Sequence, residues 1–153
     1  MEALLKAIKI KWDSNAAAEL RALCKGGLWG LEAVRKGTNN DRTGIAEGTN
    51  NVLDNYIVLS FPGDISDKSM SSVIENVTAD FNIFVSDEEG LQAIVQIRDE
   101  FKAVFDDVVL PMDKDGAGNT QRMVSMTRQT VGTPQKDPDE GYFLPITYEI
   151  MFG

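Results

Sequence analysis

A chain of 153 residues, 42% hydrophobic and 25% charged, has the size and composition of one globular domain with its own core. The single cysteine, Cys24, excludes an intrachain disulfide and a cysteine-rich zinc site, and the lack of histidine removes the usual general base and commonest metal ligand, which counts against most hydrolase chemistries. The net charge of -9 is uneven: residues 1–36 hold seven Lys or Arg against four acids, the remainder eight against twenty, so most of the chain repels a nucleic-acid backbone.

The opening "MEALLKAIKIKWDS" carries Lys6, Lys9 and Lys11 within its apolar stretch and no small-residue cleavage site after it. It therefore does not read as a signal peptide, and no apolar run nears the roughly 18 residues needed to span a bilayer. The expected location on these grounds is cytoplasmic. Leu5, Ile8 and Trp12 recur at helical spacing over Glu2–Trp12. "DSN" then breaks the pattern and predicts a cap for a second short helix over Ala16–Cys24, ended by Gly26 and Gly27. Such a basic amphipathic helix suits a membrane surface or, as preferred here, packing across a sheet. Cys24 is expected to fill space near the second helix end.

"LWGLEAV", Leu28–Val34, predicts a strand, with Gly30 marking a bulge or a close backbone approach. "RKGTNNDRTGIAEGTNNVLDN", Arg35–Asn55, is rich in Gly, Asn, Thr and Asp over a length uncommon for a loop in a compact domain, and is read as an excursion that touches a partner. "YIVLSF", Tyr56–Phe61, predicts a strand stopped by Pro62 and Gly63. Val77, Ala79, Phe81, Ile83 and Val85 alternate with other residues at the period of a sheet with one buried face. "SDEEG" offers an N-cap at Ser86 or Asp87 for a helix to Phe105, whose Leu91, Ile94, Ile97, Phe101, Val104 and Phe105 make one apolar face. Val108–Met112 leads into the polar "DKDGAGNTQ", and "RMVSMTRQTV" resumes alternation. After a polar break, "GTPQKDPDEG", a last strand carries Leu144, Ile146, Tyr148, Ile150 and Phe152 on one face and Pro145, Thr147, Glu149 and Met151 on the other. The order predicts a single α+β domain over residues 1–153: an antiparallel or mixed sheet, an N-terminal helix pair and one central helix packed on it.

Few clusters here carry chemistry. Asp113, Asp115 and Gly116 resemble a calcium loop, but Gly116 falls fourth where an EF-hand needs it sixth. "DPDEG" at Asp137–Gly141 clusters carboxylates without further ligands nearby in sequence, and a hairpin bend is the better reading. "GTNNDRTG" has neither the spacing nor the lysine of a phosphate loop. The pairs Asp87 with Glu88 and Asp106 with Asp107 fall at helix ends, where charge is commonplace. Trp12 and Trp29 are expected as core or interface anchors. No catalytic, cofactor-binding or metal-ligating residue is assigned, no cofactor is expected, and the chain is not read as an enzyme.

Taken in order, "CKGGLW" after a pair of short helices, "NYIVLSF", "VTADFNIFVSDEEGLQAIVQIRDEFKAVF" and "DPDEGYFLPITYEIMF" resemble the tail terminator, or tail-completion, proteins of tailed bacteriophages, prophages and gene-transfer particles. The resemblance covers nearly the whole chain as a pattern of elements. It implies a structural virion protein, assembled in the host cytoplasm, that forms a homo-oligomeric ring, generally a hexamer, at the head-proximal end of the tail. Its implied partners are the tail tube protein and the head-tail connector or neck, with DNA passing through unbound and no membrane contact. Surplus acids suit a lumen through which DNA slides, and long polar loops suit contacts above and below a ring. Under this reading the contact surfaces are the loops at Arg35–Asn55, Pro62–Ser72 and Asp113–Gln121, and the candidate contact residues are Arg35, Lys36, Arg42, Asp64, Asp67, Lys68, Asp113, Lys114 and Asp115. A neck, head-closure or tube ring component is the near alternative. A small ligand-binding or enzymatic α+β domain using carboxylates is the alternative from another class.

Overall fold

Residues 2–30, 55–61, 75–85, 90–113, 121–137 and 141–152 are described by a computed structural model. In chain order they form α1 (Glu2–Trp12), a 3-10 turn (Asn15–Ala17), α2 (Ala18–Leu23), β1 (Gly27–Gly30), β2 (Tyr56–Ser60), β3 (Glu75–Val85) and α3 (Gly90–Phe105). β4 (Val108–Asp113), β5 (Gln121–Val131), β6 (Gln135–Asp137) and β7 (Gly141–Phe152) follow. The class is α+β as predicted. One mixed sheet runs β1-β2-β3-β7-β5-β4, with β6 also on β7. Among the described residues only β1 and β2 pair in parallel, and every other pairing is antiparallel.

Period-2 alternation sets the core. Ile57 and Leu59 of β2, Ala79, Phe81, Ile83 and Val85 of β3, Met126 of β5, and Leu144, Ile146, Tyr148 and Ile150 of β7 are all buried in one cluster. Register aligns them in rows, Ile57 beside Ile83 beside Leu144 and Leu59 beside Phe81 beside Ile146. Onto this face α3 sets Ile94, Ile97, Phe101, Val104 and Phe105, residues three or four apart that share one side of the helix. The predicted cap for α3 at Ser86 or Asp87 lies outside the described residues.

α1 buries Leu4, Ala7, Ile8 and Trp12 and lies along β4. Trp12 is thus a core anchor. The "DSN" break does not cap the second helix through a side chain: Ser14 turns its hydroxyl back to donate to the Lys11 carbonyl at 2.6 Å. Arg21 of α2 donates to the Trp12 and Ser14 carbonyls, so a guanidinium satisfies the orphan acceptors at the end of α1. Cys24 is buried at the end of α2, and burial pushes its thiol up to about 12, as suits an inert space-filler.

Two connections deserve physical reasons. β1 and β2 are parallel, and a parallel pair needs a crossover of about a dozen residues or more, so topology alone requires a long segment between Gly30 and Tyr56. At the other helix, α3 turns into β4 through Asp106 and Asp107 alone, and Asp107 adopts φ 53, the left-handed conformation in which glycine is favoured. Replacing Asp107 by Gly should therefore raise stability by about 0.5–1 kcal/mol, read as a higher urea midpoint with an unchanged slope.

The polar break before the last strand is partly a strand. β6 pairs Gln135 with Phe143 and Asp137 with Gly141, an arrangement hidden in sequence because three polar residues carry no alternation. The pairing makes "DPDEG" a hairpin, since Asp137 and Gly141 are register partners and only three residues join them. β5 and β6 share one edge of β7, with Gly132 between them donating to the Pro145 carbonyl at 2.8 Å. Pro145, which has no N–H to offer a ladder, occurs where β5 has given way to β6. A Cβ on Gly132 would lie 2.7 Å from the Pro145 ring, so glycine is what lets the two strands close on that point.

Candidate functional site

Of the nine candidate contact residues, Arg35, Lys36, Arg42, Asp64, Asp67, Lys68, Lys114 and Asp115 lie outside the described residues. Asp113 ends β4 and is the register partner of Gln121, so the segment between them closes a β4–β5 hairpin. The final residue of the Arg35–Asn55 stretch is not a surface contact. Asn55 is 9% exposed, its amide donates to the Leu23 carbonyl at 3.2 Å, and its own carbonyl accepts from Gly26 at 2.8 Å. It ties the end of α2 to the start of β2.

Register places the anchors of the predicted contact loops. Glu75 of β3 is opposite Phe152 of β7, Phe152 is opposite Val124 of β5, and Val124 is opposite Leu110 of β4. β1 runs toward this same end, as does β2, because Gly30 pairs with Leu59 and Ser60 with Asp80. The connections leaving β1, joining β2 to β3 and joining β4 to β5 therefore all attach at one end of the sheet. The other end holds Tyr56, Val85 and Gly141.

The sheet face turned from the helices has its own pattern. Tyr56, Phe84 and Phe143 are neighbours in one row across β2, β3 and β7, with Tyr56 and Phe84 stacked at 4.9 Å and Phe84 and Phe143 at 6.1 Å. All three are half-buried. Further along, Thr147 donates to the Asp80 carboxylate at 2.7 Å. A bulge in β5 inserts Gln129 between Arg128 and Thr130, and Gln129 donates to Glu149 at 3.0 Å. A bulge adds local twist to the strand that carries it.

Asp106 links helix and sheet. Its carboxylate accepts from the Tyr148 hydroxyl at 2.6 Å and forms an ion pair with Arg128 Nε at 3.1 Å, and Tyr148 and Arg128 are cross-strand partners. The sequence had placed Asp106 among helix-end charges, and its position there is what lets it reach down to the sheet. Burial, then the hydrogen bond to Asp106 and the nearby carboxylate charge, push the Tyr148 hydroxyl well above its ordinary value of 10.0. A raised phenol stabilises the fold fully below that ordinary value, and the contribution is lost as pH rises toward the folded-state value. The thermal midpoint should therefore fall as pH climbs past about 10, and Tyr148→Phe should flatten that fall while costing about 1–2 kcal/mol at neutral pH.

On the helical layer α2 and α3 enclose an open groove of about 540 Å³ lined by Glu19, Ala22, Leu23, Gln96, Asp99 and Glu100. Each helix contributes residues spaced i, i+3 and i+4, the positions that share one helix face. Among the described residues no group of three or more His, Cys, Asp or Glu side chains is placed to hold a metal ion, and no helix is long and apolar enough to cross a membrane. No family model, curated protein or solved structure matches the chain.

Proposed function

We propose that this protein is a structural component of a tailed-phage particle that forms a ring, generally of six copies, at the head-proximal end of the tail tube. There it ends tube polymerisation and presents a surface to the head connector or neck. The work is geometric, with no bond made or broken. The observation that carries this reading is that the segment holding Arg35 starts at the same end of the sheet at which the Asp64–Lys68 and Lys114–Asp115 segments both start and finish. An α+β body with three polar connections attached at one end suits stacking on a tube end. The resemblance in element order supports the same reading: "NYIVLSF" is β2, "VTADFNIFV" leads through β3 to α3, and the acidic turn joins β6 to β7.

Electron microscopy of particles assembled without the protein tests it. Overlong tails, or headless tails of irregular length, are the expected result. Filled heads that leak DNA would instead assign the protein to head closure, and normal particles would refute a structural role.

A further inference from the structure

α1 displays an unusual outer surface. Ile10 is 61% exposed, and Lys6 and Lys9, four and one residues before it, are exposed as well. The ion pair of Lys9 with Asp13, at 3.4 Å, is itself exposed, and exposed pairs contribute little, so Lys9 is easily re-paired. The groove between α2 and α3 has the opposite character: Ala22 and Leu23 give it apolar lining, and Glu19, Asp99 and Glu100 give it carboxylates. Arg98 already holds Asp99 at 2.9 Å, whereas Glu19 and Glu100 have no ion-pair partner among the described residues.

We infer that the α1 surface of one copy docks in the α2–α3 groove of a second copy, with Ile10 on Leu23 and Ala22, and Lys6 and Lys9 facing Glu100 and Glu19. Within one copy this contact is not made: α1 packs along β4, α2 packs on α3, and the lysines and Ile10 are exposed. The two surfaces are different patches of one chain, so the contact is heterologous. Repeated head to tail, it closes into a ring where the rotation permits and otherwise grows as a filament. The contact deepens the ring reading and rests on it for closure at a fixed number of copies.

Sedimentation of the full chain at rising concentration and low salt tests this contact, with circular dichroism to verify that each variant is folded. Wild type should self-associate and lose affinity with added salt, and Lys6→Glu/Lys9→Glu or Glu19→Lys/Glu100→Lys should each weaken association at least about tenfold. Mixed one to one, the two variants should associate again, since the intact α1 surface of one meets the intact groove of the other and the two charge-reversed surfaces are themselves complementary. A wild type that stays monomeric, variants that assemble as wild type does, or a mixture that fails to pair would overturn the contact. Adding tail tubes separates the two claims. Variants that cap tubes as wild type does leave the ring reading standing without this contact. Pairing as described by a chain that never caps tubes leaves the contact standing without the terminator.

Discussion

Phe81→Ala should cost about 3–5 kcal/mol, the range for truncating a fully buried aromatic residue. Phe81 is fully buried in the middle of β3, and three rings surround it: Phe101 at 4.8 Å, Phe105 at 6.0 Å and Tyr148 edge-on at 5.7 Å. Two of these rings come from α3 and one from β7, so the side chain is where the helix meets the two central strands. Its loss removes the transfer free energy of a phenyl group and leaves a void that rigid neighbours fill poorly. Against a typical domain stability of about 5–15 kcal/mol, such a loss depopulates the native state visibly. Thermal unfolding followed by circular dichroism should show a midpoint lower by about 10 °C or more. The matched control is Phe84→Ala, three residues along and on the opposite face, where the ring is half-buried. That change should cost about 1–2 kcal/mol, because less apolar area leaves water. Equal losses from the two variants would mean that the helix-covered face is not the main core.

Gly26→Ala should be nearly as damaging, for a reason that lies in the backbone. A Cβ at Gly26 would lie 2.7 Å from the Asn55 carbonyl oxygen and 2.9 Å from Tyr56 Cβ. Neither atom is the end of a flexible side chain. The Gly26 N–H also donates to that same carbonyl at 2.8 Å, so relieving the clash opens the hydrogen bond that begins the parallel β1–β2 pairing. The Asn55 side chain, buried and bonded to the Leu23 carbonyl, moves with it. Overpacking and the broken bond together predict a loss of about 2–4 kcal/mol, measured by urea unfolding. A variant as stable as wild type would show that the β1–β2 junction can shift freely.

The strands and α3 were legible because each buries one face and so writes its period into the sequence. The runs ending in Val85 and Phe152 show it at period two, and Ile94 to Phe105 at helical spacing. What stayed hidden depends on partners distant in sequence. The parallel pairing of β1 with β2 could not be seen in either strand, and it gives the long Arg35–Asn55 stretch a topological reason to exist alongside the contact role first read into it. β6 was invisible because Gln135–Asp137 has no apolar face of its own and is defined only by pairing with β7. Ser14 has the composition of an N-cap, yet its hydroxyl bonds backward because the last carbonyls of α1 lie closer to hand. The groove between α2 and α3 joins residues as far apart in the chain as Glu19 and Glu100, which only the packing of the two helices brings to one groove. For the candidate contact loops, the sequence marked where polar turns fall, and the register added that the first starts at the end of the sheet where the other two both start and finish.

The most direct test of the terminator reading is to mix the purified protein with purified tail tubes of the same particle and image the ends by negative-stain electron microscopy. Ring-shaped density on one end of each tube, together with an end to further tube growth when free tube subunits are supplied, is the predicted result. Tubes that keep both ends bare and continue to lengthen in a saturating excess of the folded protein would contradict it.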